Sequence, residues 1–212
     1  MEISASTVKE LRERTGAGMM ECKKALGETK GNIDEAIAYL RKKGLSAAAK
    51  KAGRATSEGL IGSYVHSNGK IAVMVEVNCE TDFVARNENF QAFVKDIAMH
   101  IAAANPVCVS PDDMPKDFIE KEREIIVGQV KQDPKMAGKP QQVVDKIVEG
   151  KIAKIFDEQC LMNQKFVKNS DLTIAQHLSQ TIANIGENLS IARFTRYVLG
   201  ESQKAPAPEE NQ

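Results

Sequence analysis

The sequence is poor in aromatic residues and has no excess of charge of either sign. Aromatic residues make up 5% of its 212 residues, and 29 Lys and Arg residues balance 29 Asp and Glu residues. Proteins that bind nucleic acids usually combine a positive field with aromatic side chains on which bases stack. The composition therefore argues against a nucleic-acid-binding protein.

The sequence also lacks clusters of metal-binding or disulfide-forming residues. The four cysteines (Cys22, Cys79, Cys108 and Cys160) are far apart, and the three histidines are scattered. There is no signal peptide and no long apolar run. This pattern predicts a cytoplasmic protein with reduced thiols, without a metal site and without a membrane segment.

No motif for catalysis or nucleotide binding is present. The Thr-Gly-Ala-Gly segment at 15–18 is too short for a phosphate-binding loop and lacks its lysine and its serine or threonine, so it is interpreted as a turn between helices. No nucleophile–base constellation is recognisable either. We therefore predict a protein that is not an enzyme and that binds no cofactor or nucleotide itself.

The first 56 residues depart from the overall charge balance, with 12 Lys and Arg residues against 7 Asp and Glu residues. This excess favours an acidic or helical partner surface, and the alternative is an ordinary solvated helical face. The basic stretch at 41–54 also raises the alternative of an RNA-binding protein, against which the scarcity of aromatic residues argues.

Three short helices are predicted within the first 45 residues. Thr7 and Glu10 form a capping box for the first helix, which Gly16 ends. The second is predicted at 19–27, and the third begins near residue 32 and ends at Gly44. Residues 46–56 are interpreted as a linker helix, so the first predicted domain is 1–45.

An antiparallel hairpin is predicted next, with strands at 60–66 and 70–79. The Asn68-Gly69 pair between these alternating runs is the strongest short hairpin signal. A two-residue turn pairs the residues that share the apolar face: Tyr64 with Val73, Gly62 with Val75, and Leu60 with Val77.

Helical spacing of apolar residues predicts further helices, and a last strand is predicted at 189–199. The fold class is therefore α+β: an N-terminal three-helix module of the ubiquitin-associated (UBA-like) type, followed by a small antiparallel sheet packed with helices at 57–200. The Pro-, Ala- and Glu-rich tail at 201–212 has nothing to bury and is predicted to be disordered.

A polar pair, Thr81 and Asp82, stands at the end of the second strand and is followed by Phe83. From the residues alone, the simpler interpretation is that Asp82 caps the next helix and Phe83 folds back into the core. The alternative is a binding loop displayed at the edge of a rigid sheet.

Two long motifs resemble the bacterial elongation factor Ts family. The first is Asn-Cys-Glu-Thr-Asp-Phe-Val-Ala-Arg-Asn at 78–87, and the second is Leu-Arg-Glu-Arg-Thr-Gly-Ala-Gly-Met-Met-Glu-Cys-Lys-Lys-Ala-Leu at 11–26. The resemblance runs from about residue 7 to residue 200. It implies a guanine-nucleotide exchange factor that binds elongation factor Tu, a GTPase, and promotes GDP release. The alternative is a UBA-like adaptor that binds a partner without exchange activity.

The resemblance also assigns contact roles to particular residues. Those that would disturb the magnesium site of the GTPase are Thr81, Asp82, Phe83 and Val84. Those that would make other contacts with the GTPase are Arg12, Met19, Met20, Lys23 and His66. The alternative to a contact role for both methionines is that one of them packs inside, because an apolar residue on so small a module is costly to expose.

Longer members of the family hold two related core units and a projecting coiled coil, and this chain leaves no room for either addition. A single unit would offer the GTPase its Thr81-Asp82-Phe83 loop or its His66 side, but not both. We therefore predict a homodimer that binds two GTPase molecules. The predicted pairing face is the sheet edge or the segment near Cys160.

Overall fold

The structure is a computed structural model that describes residues 3–133 and 139–201. Its elements confirm the predicted α+β class, with three helices preceding a three-stranded antiparallel sheet and further helices. The tail predicted to be disordered lies outside the described residues except for Glu201. No helix among the described residues is long and apolar enough to cross a membrane.

The N-terminal helices pack around a small core of their own. They are α1 (Ala5–Thr15), α2 (Met19–Glu28) and α3 (Ile33–Ala49). Leu11, Cys22 and Leu26 are fully buried in this core. The capping box predicted at Thr7 is wrong: α1 begins earlier, and the hydroxyl of Ser4 accepts a hydrogen bond from the Thr7 N–H at 3.1 Å.

The third helix does not end at Gly44, which corrects the prediction from the sequence. It continues to Ala49, because the following Leu-Ser-Ala-Ala-Ala run favours helix and Gly44 is buried against the later helix α8 (Ile174–Ile185). Residues 46–49 are thus the last turn of α3 rather than a separate linker helix. The domain boundaries at 45 and 56 stay a prediction.

The sheet has the order β1-β2-β5, with β2 at its centre. Its strands are β1 (Glu58–Val65), β2 (Ile71–Cys79) and β5 (Leu189–Val198). The predicted hairpin register is confirmed, with Tyr64 opposite Val73, Gly62 opposite Val75, and Leu60 opposite Val77. β2 and β5 are also antiparallel, and Cys79 at the end of β2 pairs with Leu189 at the start of β5.

Helices cover one face of this sheet and leave the other face open. They are α4 (Asp82–Ala85) and α5 (Glu88–Ala104), with α8 packed beside α5. Val73, Val75 and Val77 are buried on the covered face, whereas Met74 on the opposite face is 50% exposed. A short hairpin of β3 (Lys165–Phe166) and β4 (Asn169–Thr173) precedes α8.

Two long helices form a separate unit between α5 and β3. They are α6 (Lys116–Gln132) and α7 (Gln141–Gln159), and they pack on each other through Ile126, Val130, Val148 and Ile152. The prediction that this chain has no room for a coiled-coil-like addition is therefore wrong: a helical pair with its own core is present. No second core unit is found among the described residues.

Candidate functional site

The Thr81-Asp82-Phe83 loop forms a short helical tip at the end of β2. Thr81, not Asp82, is the helix cap, because its hydroxyl accepts a hydrogen bond from the Val84 N–H at 3.4 Å. Asp82 instead accepts a hydrogen bond from the guanidinium of Arg86 at 2.9 Å. The prediction of a cap at Asp82 is therefore wrong.

The side chain of Phe83 points into solvent and is 79% exposed. The interpretation of Phe83 as a core residue is therefore wrong. Its neighbour Val84 is half-buried and packs against the main core, so it ties the tip to the body of the protein. An exposed phenylalanine on an anchored turn is the feature of this loop that a partner could bind.

Hydrogen bonds from distant parts of the chain fix the base of the tip. Glu187, between α8 and β5, accepts hydrogen bonds from the Thr81 N–H at 3.1 Å and from the Thr81 hydroxyl at 2.7 Å. The thiol of Cys79 donates to the Thr81 carbonyl at 3.1 Å, and burial raises the pKa of Cys79, which keeps it in the thiol form that donates.

Sequence reasoning missed Glu187. It lies 106 residues from Thr81, and no local pattern marks a glutamate in a helix-to-strand turn as a partner for a loop so far away. The pairing of β2 with β5, which sets Cys79 opposite Leu189, brings the two turns side by side, and that strand pairing was not predicted.

The four N-terminal candidates are all on the surface. Arg12, Met19, Met20 and Lys23 are exposed, with exposed fractions of 46% for Met19 and 75% for Met20. The alternative that one methionine packs inside is therefore wrong. Met19 and Lys23 lie four residues apart on α2 and so share one face of that helix.

His66 lies at the opposite end of the hairpin from the tip. It is exposed just after β1, and its Nδ1 is 3.1 Å from the hydroxyl of Tyr64. The strand β2 separates the His66 end of the hairpin from Thr81 and spans about 25 Å at the usual rise per residue. The structure therefore does not bring His66 together with Phe83 in one chain.

The described part of the chain holds no group of three or more His, Cys, Asp or Glu residues able to bind a metal ion. Its four cysteines are all buried free thiols, and burial raises the pKa of each one. The candidate surface thus consists of an exposed aromatic tip, an exposed methionine pair and flanking charges. These are features suited to binding another protein.

Known proteins resemble this chain over nearly its whole length. The family described as Elongation factor TS matches residues 1–201. Elongation factor Ts of Geobacter sulfurreducens is 58% identical over 201 residues, which cover 95% of this chain and 91% of that protein. Elongation factor Ts of Solidesulfovibrio magneticus is 56% identical over 199 residues, which cover 94% of this chain and 98% of that protein.

Proposed function

The chain belongs to the elongation factor Ts family, and from this premise we propose that it is a guanine-nucleotide exchange factor for elongation factor Tu. It binds this GTPase in the cytoplasm and accelerates the release of GDP during translation elongation. The observation that carries the proposal is the side chain of Phe83, 79% exposed on a turn whose base is fixed by hydrogen bonds.

Phe83 acts as a wedge that enters the GTPase near its magnesium and phosphate site. Burying this side chain in a partner pocket supplies about 1.5–3 kcal/mol. That free energy favours release only if the pocket is open in the nucleotide-free state and closed in the GDP-bound state. By linkage, the factor and GDP then lower each other's affinity for the GTPase by the same ratio.

The residues beside Phe83 present and orient it. Asp82 is half-exposed and offers carboxylate oxygens to the partner, while Thr81 and Val84 hold the turn to the core. Because magnesium links the phosphates to the GTPase, a shift of its ligands weakens nucleotide binding. No covalent bond is made or broken on this chain, so exchange needs no cofactor, metal or nucleotide of its own.

The N-terminal helices supply affinity rather than exchange. Met19 and Met20 give an unbranched, adaptable apolar contact, and Arg12 and Lys23 flank it with positive charge. We expect Met20→Ala to raise the Kd for the GTPase about tenfold or more, as for loss of one buried apolar anchor. The exchange rate at saturating concentration should not change, because the Phe83 tip is intact.

The active form is a homodimer. We propose that it pairs through the open face of the sheet rather than through the sheet edge or the segment near Cys160, since Cys160 itself is fully buried. The apolar side chains exposed on this face, from 50% to 66%, are Ile61, Val65, Met74 and Tyr197. Such a patch is costly in water and is covered when two sheets pack face to face. The two-fold pair lets one chain present its tip and the other its His66 side, and it binds two GTPase molecules.

One assay tests the proposal. Elongation factor Tu from the same organism is loaded with fluorescent GDP and mixed with excess unlabelled GDP, with and without this protein. We expect the protein to accelerate the loss of fluorescence in a saturable manner. Binding measured by calorimetry without any acceleration would instead identify a UBA-like adaptor and contradict the exchange function.

A further inference from the structure

Two carboxylates join the turn after β2 to the turn before β5 in a reciprocal manner. Glu187 of the second turn accepts hydrogen bonds from the N–H and the hydroxyl of Thr81, at 3.1 and 2.7 Å. Glu80 of the first turn accepts a hydrogen bond from the N–H of Asn188 at 2.6 Å. Each turn thus offers a backbone donor to the glutamate of the other, and we call this arrangement the Glu80–Glu187 clasp.

The fold places the clasp at the base of the Phe83 tip. β2 ends and β5 begins side by side, with Cys79 paired with Leu189, so the two turns leave the sheet at the same edge. Gly186 has a φ of 94°, a left-handed conformation that ends α8 and directs the chain towards Thr81. The glutamate at 187 comes immediately after this change of direction.

The tip depends on contacts with the rest of the chain for its conformation. α4 is only four residues long, and a helix of that length is unstable in isolation. Its one side-chain cap is the hydroxyl of Thr81, which accepts from the Val84 N–H. The same hydroxyl donates its hydrogen to Glu187. This bond fixes the direction of the hydroxyl lone pairs, and one of them accepts the capping hydrogen bond.

The clasp also lies on an element that contacts the N-terminal helices. α8 leads directly into Glu187, and it packs on α3, while the side-chain amide of Asn184 donates to the Gly16 carbonyl at 3.1 Å. Through α8, the residues that hold Phe83 are therefore connected by direct contacts to the turn that precedes Met19 and Met20. A rigid frame lowers the entropy cost of binding a partner at both places.

We propose that Glu187 is a positioning residue for nucleotide exchange, which fixes the Thr81 cap so that Phe83 is already oriented when it meets the GTPase. The inference rests on the exchange function proposed above. In this proposal Glu187 acts through Thr81 and not through a contact of its own with the GTPase. Its loss leaves Phe83 present but free to take several orientations, so that fewer encounters open the nucleotide site.

The test compares exchange curves for the full-length protein with Glu187→Ala. Fluorescent-GDP release is measured over a range of factor concentrations, which separates the saturating rate from the half-saturating concentration. We expect the saturating rate to fall about tenfold, with the half-saturating concentration changed less than about twofold. Glu124→Ala, at an exposed glutamate of α6, is the matched control and should change neither the saturating rate nor the half-saturating concentration.

The two readouts separate positioning from plain destabilisation. A variant that is only less stable supplies less folded protein, which raises the half-saturating concentration and leaves the saturating rate intact. That outcome for Glu187→Ala would overturn the proposal. If Glu187→Ala does not fold, Glu187→Gln decides instead: its amide oxygen keeps one acceptor, so a fall of about threefold in saturating rate supports the proposal and no fall overturns it.

The assay also separates this inference from the function on which it rests. If the wild-type protein fails to accelerate GDP release, the exchange function is wrong. If the wild type accelerates release, Phe83→Ala is slow and Glu187→Ala keeps the full saturating rate, then only the positioning role of Glu187 is wrong.

Discussion

Gly44 of α3 lies directly against Ser179 of α8. A Cβ atom on Gly44 would be 3.8 Å from the carbonyl oxygen of Ser179, an ordinary van der Waals contact. Because Gly44 is inside a continuous helix, alanine is preferred there by about 0.5–1 kcal/mol. We expect Gly44→Ala to raise the free energy of unfolding in urea by about that amount. A lower value would show that α3 and α8 pack too closely for a methyl group.

Gly62 of β1 presents the opposite case. A Cβ atom there would be 2.3 Å from Cγ1 of Val94, a branched side chain buried in the core beneath the sheet. Relieving this overlap requires the sheet and α5 to move apart. We expect Gly62→Ala to lower the free energy of unfolding by about 1–3 kcal/mol, in the same urea experiment. A stability equal to the wild type would contradict the close approach of β1 to α5.

Stability should depend on pH through the buried His100. Its Nε2 donates to the side-chain oxygen of Gln164 at 3.0 Å, its Nδ1 accepts from the Val167 N–H at 3.2 Å, and burial lowers its pKa. The unfolded chain, with a histidine pKa of about 6.5, then binds more protons than the folded chain as the pH falls below that value. We expect the free energy of unfolding to decrease steadily from about pH 7.5 to pH 5.5.

The variant His100→Gln tests this source of the pH dependence. Its urea midpoints at pH 7.5 and 5.5 should differ less than those of the wild type, since the variant lacks one histidine whose pKa is lowered in the folded state. Part of the dependence should remain, because burial also lowers the pKa of His177. A difference in His100→Gln as large as in the wild type would contradict the assignment.

The dimer should depend on the open face of the sheet. Met74 is at the centre of that face and 50% exposed, so Met74→Lys places a charge in the proposed interface without disturbing the core. By light scattering, we expect the wild type at twice the chain mass of 23.2 kDa and Met74→Lys at the chain mass. Ile125→Lys, at an equally exposed apolar residue of α6, should remain dimeric.

Either of two results would contradict this interface. One is a wild-type protein with the mass of a single chain at micromolar concentration, and the other is a dimer that persists in Met74→Lys. A complex with the mass of one factor chain plus one GTPase molecule would count against the dimer in the same way.

The parts of the fold that were predicted correctly depend on local signals. The Asn68-Gly69 turn fixes the hairpin because such a pair favours one turn type, and the alternating residues then determine the register. The last strand, predicted at 189–199, is likewise present as β5 (Leu189–Val198).

The errors arose where distant contacts outweigh local preference. Glycine often ends helices, yet α3 continues past Gly44 because the next residues favour helix and Gly44 packs against α8. For Phe83, the simpler interpretation from the residues alone is a core position, yet its side chain is 79% exposed, on a turn that hydrogen-bonds to Glu187. In both cases one of the contacts involved comes from a residue more than 100 positions away, which no local pattern contains.

The proposed role of Phe83 is tested most directly by stopped-flow release of fluorescent GDP from elongation factor Tu, with wild-type protein and Phe83→Ala at saturating concentrations. Because the side chain is 79% exposed, the variant should keep the wild-type melting temperature. Ile125→Ala, at an exposed apolar residue of α6, serves as the control for loss of an exposed side chain and should match the wild type.

We expect release stimulated by Phe83→Ala to be at least about tenfold slower than with the wild type, as for losing about 1.5–3 kcal/mol of wedge binding. Release by folded Phe83→Ala at the wild-type rate would contradict the role of Phe83 as a wedge.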